Sequence, residues 1–302
     1  MPNYPEMSGH NANPNTIKQC LIDGARALER TGIENPRMEA RMLAAFAINA
    51  GPEAVVAESN REMTVGENEI FTSSLRRRCN HEPMAYITGV REFWSLPFRV
   101  TPATLIPRPD SETLIEGVLD QINDKSATLR ILDLGTGSGC LLLSLLSELG
   151  NASGIGVDVS NDALNVAKLN AGNLGLSGRV EFINADWNSP EFIKSIGGKF
   201  DLVISNPPYI SKSELQQLDI TVSAHEPMTA LDGGADGFDS YRAIVGILDK
   251  LLNDDGVAAF EVGFGQGKAV ASMLPQGIME VIEIREDLSG IGRAVLARKI
   301  KS

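Results

Sequence analysis

From residue 130 to residue 298 the chain alternates short apolar runs with stretches of helical periodicity, and no other feature limits its fold more. The runs predict strands at 130–135, 153–158, 179–184, 200–205, 256–262, 279–286 and 293–298. Helices are predicted at 110–122, 139–149, 161–172, 239–252 and 266–274. Strands that are apolar throughout bury both faces, and the intervening helices supply the cover. The pattern therefore predicts an α/β fold, a parallel sheet layered between helices. No helix fits between the last two strands, so they are predicted to be an antiparallel pair.

Residues 16–82 read as a separate helical domain. "NTIKQCLIDGARALERTG" spaces Ile17, Leu21, Ala25 and Leu28 at helical intervals, with Gly32 as a C-cap. "NPRMEARMLAAFAINAG" starts at Pro36 and brings Met42, Ala45, Phe46 and Asn49 to one face. "GENEIFTSSLRRRCN" turns Ile70, Phe71 and Leu75 inward, and its Arg76–Arg78 triplet reads as a solvated helix end favoured by the macrodipole. Residues 83–104, rich in β-branched and aromatic side chains, predict a β-hairpin linker to a catalytic domain at 105–302. The polar opening "MPNYPEMSGHNANPN" has no signal-peptide layout and predicts a disordered lead-in over 1–15.

Composition removes several classes. The three cysteines are far apart and no CxxC pair occurs. With only three histidines, neither a disulfide framework nor a metal site is expected. No apolar run approaches the ~20 residues of a membrane span, and the cytoplasm is the expected compartment. Net charge is −12. Residues 1–80 carry nine basic and ten acidic side chains and the remainder 18 and 29, so the acidity lies in the C-terminal part. A protein that grips a phosphate backbone shows the opposite balance.

"ILDLGTGSGC" (131–140) is a strand, a glycine turn and a helix start. Gly135, Gly137 and Gly139 let backbone N–H groups approach a ligand at a helix N-terminus. The dinucleotide fingerprint would need a glycine at Cys140. Asp133, just before the turn, would repel a pyrophosphate and suits a cationic ligand. Asp158 closes the second strand, where an acid takes ribose hydroxyls in nucleotide folds. Asp186 and Trp187 close the third, where an acid can accept from an adenine amino group and an indole can cover the ring. Each alone could be a cap or a core residue. Together they line the carboxyl edge of the sheet and predict a nucleoside site. S-adenosylmethionine, with ribose, adenine and a sulfonium but no phosphate, fits better than NAD.

"VISNPPYI" (203–210) ends the fourth strand at the same edge. Two prolines stiffen the loop and exclude helical geometry at the residue before them. Asn206 offers a carbonyl acceptor, the Pro207 backbone a second, and Tyr209 an aromatic wall. The stretch reads as a rigid two-acceptor clamp for a planar NH2 group: an adenine, a cytosine or a glutamine side chain.

Over roughly residues 83–295 the chain resembles the protein-(glutamine-N5) methyltransferases of peptide chain release factors, the PrmC/HemK family. The glycine turn and "NPPYI" are shared with many methyltransferases. "LIPRPDSE" (105–112) and "EPMTALDGGADGFDSYR" (226–242) are more specific, supported by "GVDVSNDAL", "ADW" and "EVGFGQ". The resemblance implies a class I S-adenosylmethionine-dependent methyltransferase, a Rossmann-like seven-stranded sheet behind a small helical domain that helps bind the partner. Its implied cofactor residues are Asp133, Gly135, Thr136, Gly137, Ser138, Gly139, Asp158, Asp186, Trp187 and Asn206. Asn206, Pro207, Pro208 and Tyr209 would bind the substrate amide, with Asn206, Pro207 and Tyr209 catalytic. The implied partner is a release factor modified on the glutamine of its Gly-Gly-Gln motif, with no direct nucleic-acid contact, no membrane and a monomeric enzyme. Arg108 and Glu112 are expected to pair over the site, and His225 is given no catalytic role. Competing readings are a ribosomal protein glutamine, N6-adenine methylation of DNA, which the acidic balance opposes, and a cofactor-binding adaptor without catalysis.

Overall fold

The structure, a computed structural model, describes residues 16–301 and divides into two compact units, one up to Thr88 and one from Gly89. The lead-in expected over 1–15 lies outside the described residues.

The first unit is helical: α1 (Ile17–Arg30), α2 (Pro36–Ala47), α3 (Pro52–Ala57), α4 (Val65–Cys79) and α5 (Met84–Thr88). Caps set the starts. The Thr16 hydroxyl accepts from Gln19 N, and Thr64 forms a capping box with Glu67. The core gathers Ile17, Leu43, Ala44, Val55, Phe71 and Ile87. A Cβ on Gly24 would come within 2.9 Å of the Phe71 ring, so α1 and α4 pack closely there.

Four local expectations change. α2 buries Ala40, Leu43, Ala44 and Ala47, while Met42 and Phe46 are exposed. Its alanine face allows close helix packing, so the larger side chains turn outward. In α4, Phe71 is buried but Ile70 is not. The arginine triplet is only partly solvated. Arg78 is buried against Glu39, and Arg77 pairs with Glu82 and donates to the Tyr86 and Ile87 carbonyls. Those carbonyls belong to α5, a helical turn where strand was expected, closed by Tyr86 N donating to Pro83 O.

The second unit begins with the hairpin β1 (Val90–Phe93) and β2 (Leu96–Arg99). Trp94 and Ser95 both have positive φ, as a two-residue hairpin loop with right-handed strand twist requires. The expected Arg108–Glu112 pair does not form, because Glu112 accepts instead from Trp94 N at 2.8 Å and so clips the loop.

The elements that follow are α6 (Glu112–Asp120), β3 (Arg130–Leu134), α7 (Cys140–Glu148), β4 (Ser153–Asp158), α8 (Asn161–Asn173), β5 (Val180–Asn184), α9 (Phe192–Ser195) and β6 (Phe200–Ser205). After β6 come α10 (Lys212–Leu215), α11 (Ile220–Ser223), α12 (Asp239–Val245), α13 (Leu248–Leu251), β7 (Leu252–Glu261), α14 (Gly267–Met273), β8 (Met279–Glu286) and β9 (Gly292–Lys299). The helix expected over 239–252 is broken after Val245, and β7 starts four residues before the expected 256.

The seven strands stand in the order β5-β4-β3-β6-β7-β9-β8. The first five run parallel, and β9 is antiparallel to both β7 and β8. The last two strands are the expected antiparallel pair, with β9 lodged between β7 and β8. Side chains alternate between two cores, one on each face. Ile131, Leu202, Ile204 and Ala259 join one, and Leu132, Val203, Ala258 and Phe260 the other. Phe93 and Phe98 of the hairpin are buried in the first. Strand order reverses at β3, so the loops after β3, β4 and β6 meet at its carboxyl end, where open α/β sheets bind ligands.

Candidate active site

The turn after β3 is held without long side chains. Gly135, Gly137 and Gly139 have φ of 78°, 55° and 81°, which other residues adopt at a cost. Gly135 N and Thr136 N both donate to Val157 O at 2.9 Å, pinning the turn to β4. Beneath it, Asp133 is fully buried, and the Thr136 hydroxyl donates to its Oδ2 at 2.7 Å. Its Oδ1 has no hydrogen-bond partner. Burial is the main reason its carboxyl is pushed up to about 7, and nearby Asp158 adds to the shift.

Asp158 stands at the end of β4. Its Oδ2 accepts from Gly137 N and its Oδ1 from Ser160 N, both at 2.9 Å. Burial raises its pKa, and these backbone donors pull it back. One carboxylate therefore ties the glycine turn to the next loop and keeps lone pairs for a diol. Asn170 of α8 braces the turn from behind, donating to Ser138 O and Arg99 O and accepting from Arg99 N. Sequence reading missed it, because a polar residue in a helix signals nothing about a partner 71 positions away.

On the other flank, the Ser205 hydroxyl donates to Leu134 O at 2.7 Å and joins the ends of β6 and β3. The residues that follow the loop Asn206–Tyr209 are zipped to a second segment. Ile210 N donates to Leu231 O, Gly233 N to Ile210 O and Lys212 N to Gly234 O. A Cβ on Gly233 would lie 2.7 Å from Tyr209 Cα, so only glycine lets the two backbones meet. Gln266 closes the far side, donating to Tyr209 O at 3.0 Å. A half-buried ion pair fixes the roof: buried Glu226 pairs with the partly exposed Arg108 and accepts from Ile106 N, so "LIPR" and "HEP" are tied across 118 positions.

These pieces line a cleft at the carboxyl edge of the sheet that is open to solvent. Of the residues predicted from sequence, Gly135, Thr136, Gly137, Ser138, Asp158, Trp187, Asn206 and Pro208 line it. Asp133 lies beneath the turn and Gly139 behind it, against Leu143 and Ala167. Asp186 is exposed, and its Oδ1 accepts from the Asn188 backbone and side chain in a local turn. Pro207 and Tyr209 also stand off the cleft wall. Tyr209 packs toward the core, near Gly263, where burial raises its phenol pKa. The wall expected of it is supplied by Pro208, Pro227, Thr229 and Ala230.

Among the described residues lining the cleft, Arg108 is the one cation and already faces Glu226, and Asp158 is the one carboxylate. Nothing else there would hold a pyrophosphate. The N–H groups expected to meet a ligand are taken within the protein, Gly135 by Val157 O, Gly137 by Asp158 and Gly139 by Thr136 O, so the turn offers room rather than donors. With the Asp158 carboxylate and the Trp187 indole beside Gly135 it suits an uncharged nucleoside with a cationic tail. Cys140 also lines the cleft, but burial pushes its thiol up to about 12, which leaves it unreactive at neutral pH.

The family model for the PrmC N-terminal domain matches residues 19–89, and that for a methyltransferase domain matches residues 125–261. The release factor glutamine methyltransferase of Rhodospirillum rubrum is 42% identical over 283 residues, covering 94% of this chain and 85% of that protein. Its counterpart from Bradyrhizobium diazoefficiens is 39% identical over 279 residues, covering 91% and 92%. Among solved structures, the release factor-specific protein-(glutamine-N5) methyltransferase of Alicyclobacillus acidocaldarius matches with a TM-score of 0.42 and 24% identity, over 68% of this chain and 100% of that one. With sequence identity of this order sustained over nearly its whole length, the chain belongs to the release factor glutamine methyltransferase family.

Proposed function

We propose that this enzyme methylates the side-chain nitrogen of a release factor glutamine, and that its two reactants meet in the cleft between the glycine turn and Asn206. One observation carries the reading: the same cleft is lined by a nucleoside-binding turn and by the Asn-Pro-Pro loop. Gly135–Gly139 and Asp158 are assigned to the cofactor, with Trp187 beside its base. Bound S-adenosylmethionine supplies an electrophilic methyl group on a sulfonium sulfur.

An amide nitrogen is a weak nucleophile, because its lone pair is delocalised into the C–N bond. The protein's part is orientation and electrostatics. The Asn206 side-chain carbonyl, on the cleft wall, accepts one N–H group of the glutamine, and the Pro207 backbone carbonyl is assigned the second although that residue stands off the wall. Pro207 and Pro208 hold φ at that corner, so the acceptors do not swing. Tyr209 anchors the loop through its backbone bond to Gln266 rather than by touching substrate. Asp158, the one carboxylate on the cleft, is already held by two backbone N–H groups, so the nitrogen loses its proton to solvent through the open cleft after the new N–C bond forms. Residues 16–82 are assigned to holding the protein substrate, a reading supported by the PrmC N-terminal match and by the near-neutral balance of that part.

The test is methyl incorporation from labelled S-adenosylmethionine into a purified release factor, its Gln→Ala variant in Gly-Gly-Gln, and duplex DNA. Label on the unaltered factor alone is expected. Label on DNA, or equal label on the Gln→Ala variant, would overturn the assignment.

A further inference from the structure

Glu261 ends β7 with its side chain 3% exposed by residue, beside the loop that carries Asn206. The register Ser205↔Phe260 puts Asn206 next to Glu261 on the neighbouring strand ends. The Asn206 and Ser111 side chains stand near enough to its carboxyl to lower its pKa, and its Oε2 has no hydrogen-bond partner. A buried carboxyl with an orphan oxygen is costly, and residues of this kind concentrate at functional sites. It does not line the cleft itself.

An asparagine amide can turn over and exchange carbonyl for NH2 at nearly no steric cost. Only one of the two orientations offers an acceptor to a glutamine NH2. We propose that Glu261 is a positioning residue: its carboxylate accepts from the Asn206 side-chain NH2 and so turns the Asn206 carbonyl toward the substrate amide. This rests on the reading of Asn206 as the amide acceptor.

The surroundings suit a group that must be charged to act. Burial pushes the Glu261 carboxyl up to about 7, Asp110 adds to the shift, and Ser111, Arg293 and Asn206 oppose it. Tyr209, Tyr241 and Cys140 also face it, and all three stay neutral near pH 7 because burial raises their pKa values. A protonated Glu261 would donate to Asn206 and invert the amide. The wild-type rate should therefore fall as pH drops below about 7.

The experiment is a double-mutant cycle with the full-length enzyme, labelled S-adenosylmethionine and a release factor. Glu261→Ala should lower kcat by about 10- to 100-fold, with cofactor Kd within about threefold. In the Asn206→Ala background the same change should cost less than about threefold, since residues acting as one unit are not additive. Glu261→Gln keeps an acceptor and cannot ionise, so it should retain most of the rate and lose the acid limb of the pH profile. Wild-type kcat in Glu261→Ala, full additivity in the double mutant, or an acid limb surviving in Glu261→Gln would each overturn the proposal. Near-normal activity of Asn206→Ala alone would instead overturn the clamp reading beneath it.

Discussion

The two ends of the cleft are built by different means. The glycine-turn end is made of neighbouring loops. Asp133, Thr136, Gly137, Asp158 and Ser160 bond one another across at most one strand crossover, and backbone N–H groups do most of the holding. The amide end is assembled from segments far apart in sequence. Arg108 meets Glu226, Ile210 meets Leu231, and Gln266 reaches Tyr209. On the proposed reading the first end would tolerate small displacements, because a flexible nucleoside would be held there through several contacts. The second would have to hold one planar group in one orientation, and its rigidity comes from tertiary closure.

Substitutions can separate the two ends. Asn206→Ala should give the largest effect, a loss of at least ~100-fold in kcat with cofactor affinity kept, measured by single-turnover kinetics and calorimetry. If cofactor binding fell with it, the ends would not be independent. Asp158→Ala should do the reverse. It removes an acceptor from Gly137 and Ser160 N–H groups and should weaken cofactor Kd by about 10- to 100-fold, with kcat at saturation within about fivefold. Arg108→Ala should lower kcat/KM for the protein substrate by about 10-fold, because Glu226 stays buried without its cation and the roof loosens. An effect confined to cofactor Kd would move Arg108 to the other end.

The smallest effect is on stability. Asp133 ionises near 3.8 in an unfolded chain, and burial pushes it up to about 7 in the fold. Between these values the native state holds a proton that the unfolded chain has released. The stability this contributes is full below about 4, is lost as pH rises to about 7, and is level beyond. Glu261, shifted from 4.5 to about 7, acts with the same sign. Asp133→Asn should flatten part of the fall in Tm across pH 5–7. An unchanged slope would mean that Asp133 is already ionised beneath the turn.

The difference between the ends also explains what could be read from sequence. Strands and turn were legible because they are local: an apolar run, three glycines and an acid at each strand end carry their own meaning. Asp186 shows the limit of that logic, since a carboxylate at a strand end can be spent on its own turn, as it is by Asn188. Glu261 carried the same signal as Asp133 and Asp158, an acid closing an apolar run in "VAAFEVG", but no ligand chemistry called for it. Glu226 and Arg108 were each visible, and only folding reveals them as partners. Met42 and Phe46 misled because size was read as burial, whereas the packed face of α2 is built from alanine.

The place of β9 has a consequence for how the protein is made. A ribosome delivers β8 before β9, yet β8 has no neighbour in the sheet until β9 arrives between it and β7. Five parallel strands can assemble early, while β8 waits as an unpaired edge. Arg293 and Ala294, which back Glu261, come with that final strand. The amide end is thus finished last, and a nascent chain that already holds its glycine turn would still lack a complete acceptor pocket.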